Sequence, residues 1–187
     1  MTLEGYCDDV LALGDSWDLV LGHSLGGALV VQIVSGRSQW ADLVILEDPA
    51  LVIDDAGAAM DSFTEPWNDP IDAATIAAAN PRWLDRDVEV KVNALRDCGR
   101  ETVVRTVEDS APWDLRPLLG GLTMPTLLLG ADPALGALVS PEFGTAIASS
   151  HPSITFEVVA GGSHSIHRDG YDAFWAGVDR FLAAQVT

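Results

Sequence analysis

Apolar positions recur along the chain with two different spacings, and these spacings predict alternating helices and strands. Near the start, Leu3, Cys7 and Leu11 fall on one face of a predicted helix. A short run at residues 18–21, apolar after its first residue, is typical of a buried strand. Residues 25–35 are almost entirely apolar and predict a helix packed against a sheet.

The same alternation continues to the end of the chain. The predicted strands are residues 43–46, 125–130 and 154–159, and the predicted helices are residues 141–150 and 171–182. Because strands alternate with helices, we expect a mostly parallel sheet covered by helices on both faces. The sequence therefore predicts an α/β fold.

Residues 50–109 differ in composition from the rest of the chain. This segment is rich in alanine and acidic residues, contains several prolines and tryptophans, and has no strand-like run. We interpret it as a helical insertion. The remaining residues, 1–49 and 110–187, then form one core domain.

Charge, hydropathy and cysteine content exclude several classes of function. With 28 acidic and 10 basic residues, the net charge of −18 would repel nucleic acid. No apolar run is long enough to span a membrane, and the first residues do not resemble a signal peptide, so we expect a cytoplasmic protein without a membrane partner. Cys7 and Cys98 are far apart, which suggests neither a disulfide framework nor a zinc site.

A candidate nucleophile lies between the strand at 18–21 and the helix at 25–35. The segment Gly22-His23-Ser24-Leu25-Gly26 matches the Gly-x-Ser-x-Gly nucleophile elbow, in which a tight turn exposes the serine hydroxyl above the strand end. The backbone N–H of Leu25 can then donate to an oxyanion. The alternative is a glycine-rich helix start that Ser24 merely caps.

A nucleophilic serine needs a base and an acid, and the sequence offers two candidates for each. His164 follows the last predicted strand and two glycines, and we predict it as the base, with His167 as the alternative. Asp132 follows the strand at 125–130 and is the predicted acid, with Asp48 as the alternative. The order Ser24, Asp132, His164 is that of α/β-hydrolases.

These motifs together resemble the α/β-hydrolase superfamily. The resemblance rests on residues 22–27, the strand leading to Asp132, residues 162–164 and the aromatic C-terminal helix. More narrowly, the chain is similar to esterase, lactonase and carbon–carbon hydrolase members with a helical cap. The resemblance implies that residues 50–109 form a cap or lid over the pocket. It also suggests as substrate-contacting residues His23, Trp67, Trp83 and Trp113.

The resemblance also implies that the front of the fold is shortened. Members of the superfamily have further strands ahead of the nucleophile strand, and a His-Gly loop that supplies the second oxyanion donor. We therefore expect an N-terminally truncated sheet with the strand at 18–21 along one edge. An apolar edge strand of this kind could pair with a second copy of the chain to give a homodimer.

In functional terms, the resemblance implies a serine hydrolase that cleaves a small carboxylic ester or lactone through an acyl-enzyme. Neither a metal nor an organic cofactor is expected. One alternative is a non-catalytic or weakly active truncated scaffold. A carbon–carbon hydrolase and a cofactor-free haloperoxidase of the same superfamily are two more.

Overall fold

The computed structural model describes residues 2–185, which divide into two compact units. The core unit comprises residues 3–52 and the described residues from 114 onward, and the helical unit comprises residues 53–113, with Thr2 assigned to it. Among residues 2–185, no helix combines the length and the apolar character that crossing a membrane would require.

Helices and strands alternate in the core unit, and the helical unit consists almost entirely of helices. The strands are β1 (Trp17–His23), β2 (Ala41–Glu47), β3 (Val52–Ile53), β4 (Trp113–Asp114), β5 (Thr126–Gly130) and β6 (Ile154–Val158). The helices are α1 (Leu3–Leu11), α2 (Leu25–Gly36), α3 (Ala56–Thr64), α4 (Ala73–Ala79), α5 (Asp85–Cys98), α6 (Arg100–Ser110), α7 (Pro141–Ser150), α8 (Ile166–Asp169) and α9 (Tyr171–Gln185).

Four strands form one parallel sheet in the order β1-β2-β5-β6. On one face, Ile45, Leu127 and Leu129 pack with residues of α9 in the main apolar cluster. Val44 and Leu46 point to the opposite face because side chains alternate along a strand, and both are fully buried. Helix α2 packs against β1 and β2. The predicted parallel α/β sheet is confirmed.

All four strands of this sheet run in the same direction, so their carboxyl ends lie together at one end of the sheet. The register places His23 opposite Glu47, Glu47 opposite Leu129, and Gly130 opposite Val158. The segments that follow the four strands therefore start side by side. Open parallel sheets place ligands and catalytic groups at the carboxyl ends of their strands.

Strand β1 forms the edge of the sheet in the described part of the chain, where β2 is its partner. Its apolar side chains Trp17, Leu19 and Leu21 are 43%, 38% and 41% exposed. An edge strand also presents backbone N–H and C=O groups that no neighbouring strand satisfies. The expected homodimer through this edge stays a prediction, and it is a testable one.

We expect the isolated chain to self-associate through β1, with a mass that rises with concentration. Salt should strengthen the association, because each copy carries a net charge of −18 and salt screens the repulsion between copies. Light scattering on wild type and Leu19→Lys would measure this, and the Leu19→Lys variant should stay monomeric. Leu84→Lys, at a 53% exposed position of the helical unit, is the matched control. A wild-type mass that is monomeric at all concentrations would refute the prediction.

The helical unit has an apolar cluster of its own. Ile76, Val88, Val92 and Leu95 are buried together, and Trp67, Ile71 and Trp83 pack against them. The unit starts at residue 53 rather than 50, because the preceding residues still bond to the core unit, as when Ala50 N–H donates to the Ser24 carbonyl at 3.0 Å. The predicted role of this region as a lid remains a prediction.

Candidate active site

Ser24 lies in a strained turn between β1 and α2. Its φ is 54° and its ψ is −120°, a backbone conformation that residues other than glycine rarely adopt. Such strained residues persist only where the surrounding structure holds them in place, and they cluster at functional sites. The geometry is that of the nucleophile elbow that the sequence predicts at this position.

Two glycines make this tight turn possible. A Cβ added to Gly22 would lie 2.7 Å from the Gly26 carbonyl oxygen and 2.8 Å from the Gly27 Cα. A Cβ added to Gly27 would lie 2.7 Å from the Pro49 Cβ. Gly26 is different, since a Cβ there would meet nothing within 4 Å. Close approach of backbones therefore requires glycine at positions 22 and 27 but not at 26.

This difference predicts opposite effects for two neighbouring alanine substitutions. Gly22→Ala should lower the melting temperature and reduce activity, because β1 and α2 would have to move apart. Gly26→Ala should raise stability by about 0.5–1 kcal/mol, as alanine does in place of a helical glycine. Calorimetry on both variants measures the contrast. Equal destabilisation by the two substitutions would show that the turn is not packed as described.

The backbone around Ser24 is anchored on both sides. Its N–H donates to the Glu47 carbonyl at 3.1 Å, and its own carbonyl accepts from Ala28 at 3.1 Å and Ala50 at 3.0 Å. Leu25 is the first residue of α2, where a helix provides no acceptor for its N–H. That N–H is thus suited to stabilise an oxyanion next to Ser24.

A buried carboxylate holds the candidate base. The Nδ1 atom of His164 lies 2.8 Å from Oδ2 of Asp48, whose side chain is fully buried directly after β2. The Asp48 carboxylate also accepts the N–H groups of Leu138, at 3.0 and 3.1 Å, and Val139, at 3.0 Å. These bonds fix the carboxylate, and through it the His164 ring.

Asp132, the acid expected from the sequence, has different partners. Its Oδ1 accepts from Ala134 N–H at 2.9 Å and its Oδ2 from Gly161 N–H at 2.8 Å. The Gly161 and Ala134 bonds lower the pKa of Asp132 below its ordinary value. The expected contact between Asp132 and His164 is therefore wrong. Asp132 folds back over its own turn and ties it to the loop that precedes His164, while Asp48 occupies the position beside the ring.

A second histidine–carboxylate pair lies next to the first. The Nδ1 atom of His167 is 2.9 and 3.0 Å from the two carboxylate oxygens of Glu47, and the His167 N–H donates to the same carboxylate at 2.9 Å. The Glu47 side chain is 1% exposed. The sequence analysis missed Glu47, although a glutamate that ends an otherwise apolar buried strand was a usable signal.

The ring of His23 lies against the rings of His164 and His167. Its Nε2–H donates to the backbone carbonyl of His164 at 2.8 Å. The centre of its ring is 4.6 Å from that of His164 and 5.3 Å from that of His167. Burial lowers the pKa of His23, and the negative charge of Glu47 opposes this effect. The bond from Nε2–H ties His23 to the loop that carries His164, and the predicted contact of His23 with substrate stays a prediction.

The tryptophans singled out in the sequence lie in the helical unit. Trp67 donates from Nε1 to the Leu95 carbonyl at 3.2 Å, and together with Trp83 it packs on that unit's apolar cluster. Trp113 is buried as well. Trp67 and Trp83 thus pack within the unit, and substrate contact by any of the three tryptophans remains a prediction. Across residues 2–185, no group of three or more histidine, cysteine and acidic side chains is arranged to hold a metal ion.

Comparison with known proteins agrees with this geometry. The sequence matches the model of the alpha/beta hydrolase family over residues 3–176. The chain belongs to the alpha/beta hydrolase family. Its parallel sheet, with a serine at a sharp strand-to-helix turn, is the arrangement expected of an alpha/beta hydrolase.

Similar alpha/beta hydrolases include a deformylase and a lactonase. The N-formylmaleamate deformylase of Pseudomonas putida KT2440 is 26% identical, over 91% of this chain and 65% of that protein. The chain thus spans slightly less than two thirds of that relative's length. The crystal structure of the N-formylmaleamic acid deformylase of P. putida S16 is 25% identical with a TM-score of 0.75, over 95% of this chain and 73% of that one. The enol-lactonase of Burkholderia xenovorans LB400 has a TM-score of 0.71 at 22% identity, over 98% and 74% of the two chains.

Proposed function

We propose that this alpha/beta hydrolase is a serine hydrolase that cleaves a small carboxylic ester or lactone. The observation that carries the proposal is the juxtaposition of two features at adjacent strand ends. Ser24 occupies a strained elbow directly after β1, and Asp48, directly after β2, holds the ring of His164. A nucleophile, a base and an acid that orients the base are the three groups that acyl transfer requires.

Each group has a defined step in the proposed reaction. The Ser24 hydroxyl attacks the carbonyl carbon while Nε2 of His164 removes its proton, and Nδ1–H donates to Asp48 throughout. The Leu25 N–H stabilises the oxyanion. His164 then gives the proton to the leaving alcohol, which breaks the C–O bond and leaves an acyl group on Ser24. A water molecule, activated by the same histidine, releases the carboxylic acid and restores the serine.

The proposal requires the Ser24 hydroxyl and Nε2 of His164 to come within hydrogen-bond distance of each other. Catalytic hydrogen bonds are often long in the absence of substrate and tighten when it binds.

A second candidate is the hydrolysis of an N-formyl amide. It is favoured by the two deformylases of P. putida, which resemble this chain over more than nine tenths of its length. The same residues would serve, with His164 protonating a leaving nitrogen instead of an alcohol oxygen. A formyl group is smaller than the acyl group of an acetate or butyrate ester, so it would need less space beside Ser24.

A substrate panel separates these functions. Hydrolysis of p-nitrophenyl acetate and butyrate and of a small lactone is followed by absorbance or pH, and cleavage of N-formyl amides by release of formate. The proposal predicts that the ester or the lactone gives the highest kcat/KM. Faster release of formate would favour the second candidate. Turnover of a diketone would indicate a carbon–carbon hydrolase, formation of a peracid would indicate a haloperoxidase, and no turnover at all would support a non-catalytic scaffold.

A further inference from the structure

We propose that Glu47 and His167 form a positioning pair that fixes the loop carrying His164. This inference rests on the proposed function, because it concerns the base of that reaction. Neither side chain belongs to the nucleophile, base and acid set, and the proposal assigns each a role that acts through His164 rather than on the substrate.

The burial of Glu47 is the first observation. A carboxylate with 1% of its side chain exposed loses its hydration, and only close hydrogen bonds can offset that loss. The three hydrogen bonds found for the Glu47 carboxylate come from one residue, His167, through its Nδ1 and its backbone N–H. The carboxylate thus accepts hydrogen bonds from both the side chain and the main chain of a residue 120 positions away in sequence.

The spacing of the partners is the second observation. Glu47 and Asp48 are consecutive, and they bind two histidines that are three residues apart, His167 and His164. His23 completes the arrangement, since it donates to the His164 carbonyl and its ring lies against both histidines. The segment from 164 to 167 is therefore tied to the strand ends at its side chains and its backbone.

Two glycines shortly before His164 make the position of its loop dependent on contacts such as these. Gly161 and Gly162 precede His164, and Gly161 has a φ of 76°, in the region that favours glycine. Glycine permits many backbone conformations, and the bond from Gly161 N–H to Asp132 holds the loop only at its start, before His164. An apolar residue at position 47 would suit a buried strand better than a charged one. We therefore attribute the glutamate at this position to its hydrogen bonds with His167.

Two substitutions of His167 separate positioning from packing and from chemistry. In His167→Asn, the Nδ2 atom is separated from Cβ by the same number of bonds as Nδ1 of histidine. It can therefore donate a hydrogen bond to Glu47. In His167→Leu, the side-chain donor is lost but apolar bulk remains. We expect kcat of the leucine variant to fall about 10–100-fold with KM within about twofold, as a small misplacement of a catalytic group does. The asparagine variant should stay within about threefold of wild type.

Nuclear magnetic resonance gives a readout that does not depend on turnover. The ring proton that His164 shares with Asp48 should give a slowly exchanging downfield signal in ¹⁵N-histidine-labelled wild type, assigned by its loss in His164→Gln. We expect the signal in His167→Asn and its loss or broadening in His167→Leu. If the leucine variant fails to fold, Glu47→Leu combined with His167→Leu removes both polar partners and avoids an unpaired buried charge.

Each outcome decides the question. Full activity and an unchanged signal in the leucine variant, or in the folded double variant, would overturn the positioning role. Equal loss in the asparagine and leucine variants would also overturn it and would make His167 itself a reacting group. Ser24→Ala is assayed alongside. Full activity of that variant would refute the proposed function, while the His164 signal would still test the positioning pair.

Discussion

Asp48→Asn should lower kcat by about 10⁴-fold while leaving the fold intact. The asparagine keeps an oxygen that can accept the N–H groups of Leu138 and Val139, but it places an NH₂ group or a neutral oxygen beside Nδ1 of His164. An amide at this position favours the wrong imidazole tautomer and no longer stabilises the imidazolium, and a loss of this size is typical of the equivalent change in a serine protease. Steady-state kinetics with thermal unfolding measures the effect.

Asp132→Asn is the matched control for that substitution. It makes the same chemical change at an aspartate that follows β5, the neighbour of β2 in the sheet. The Asp132 carboxylate accepts N–H groups from Ala134 and Gly161 and not from a histidine. We expect less than about a tenfold loss in kcat, because the asparagine oxygen can still accept one of the two bonds. A large loss for Asp132→Asn together with a small loss for Asp48→Asn would return Asp132 to the role of acid.

Ser24→Ala and His164→Ala should each lower kcat by about 10⁶-fold, with no additional loss when they are combined. Members of a triad act as one unit, so removal of either one removes nearly all of the covalent chemistry. Both residues are only partly buried and lie outside the apolar core, so the melting temperature should change little. The single variants and the double variant are compared in one esterase assay. Additive losses would indicate that the two residues act in separate steps.

The fold could be predicted from the sequence because its signals are local. Apolar runs at residues 43–46 and 125–130 coincide within one or two residues with the two central strands, whose buried faces need continuous apolar sequence. The elbow was equally accessible, since Gly22 is required by its contacts with Gly26 and Gly27, which are close to it in the chain. In both cases the pattern and the structure that it predicts involve neighbouring residues.

The proposed acid, Asp48, could not be chosen from the sequence, because the choice depends on contacts between distant residues. Asp48 and Asp132 both follow central strands, and position relative to a strand does not show which carboxylate turns toward His164. The deciding contacts link Asp48 to residues 138 and 139 and to His164, which lie 90 or more positions away. The Glu47–His167 pair was missed for the same reason.

The most direct test of the account is covalent labelling of Ser24 by a serine-directed fluorophosphonate. Wild type should gain one label per chain, and peptide mass spectrometry should place it on Ser24. Asp132→Asn should be labelled nearly as fast as wild type, Asp48→Asn and His164→Ala far more slowly, and Ser24→Ala not at all, because only an activated hydroxyl reacts rapidly. A label on another residue, or labelling of His164→Ala at the wild-type rate, would contradict the assignment of Ser24, His164 and Asp48 as one catalytic unit.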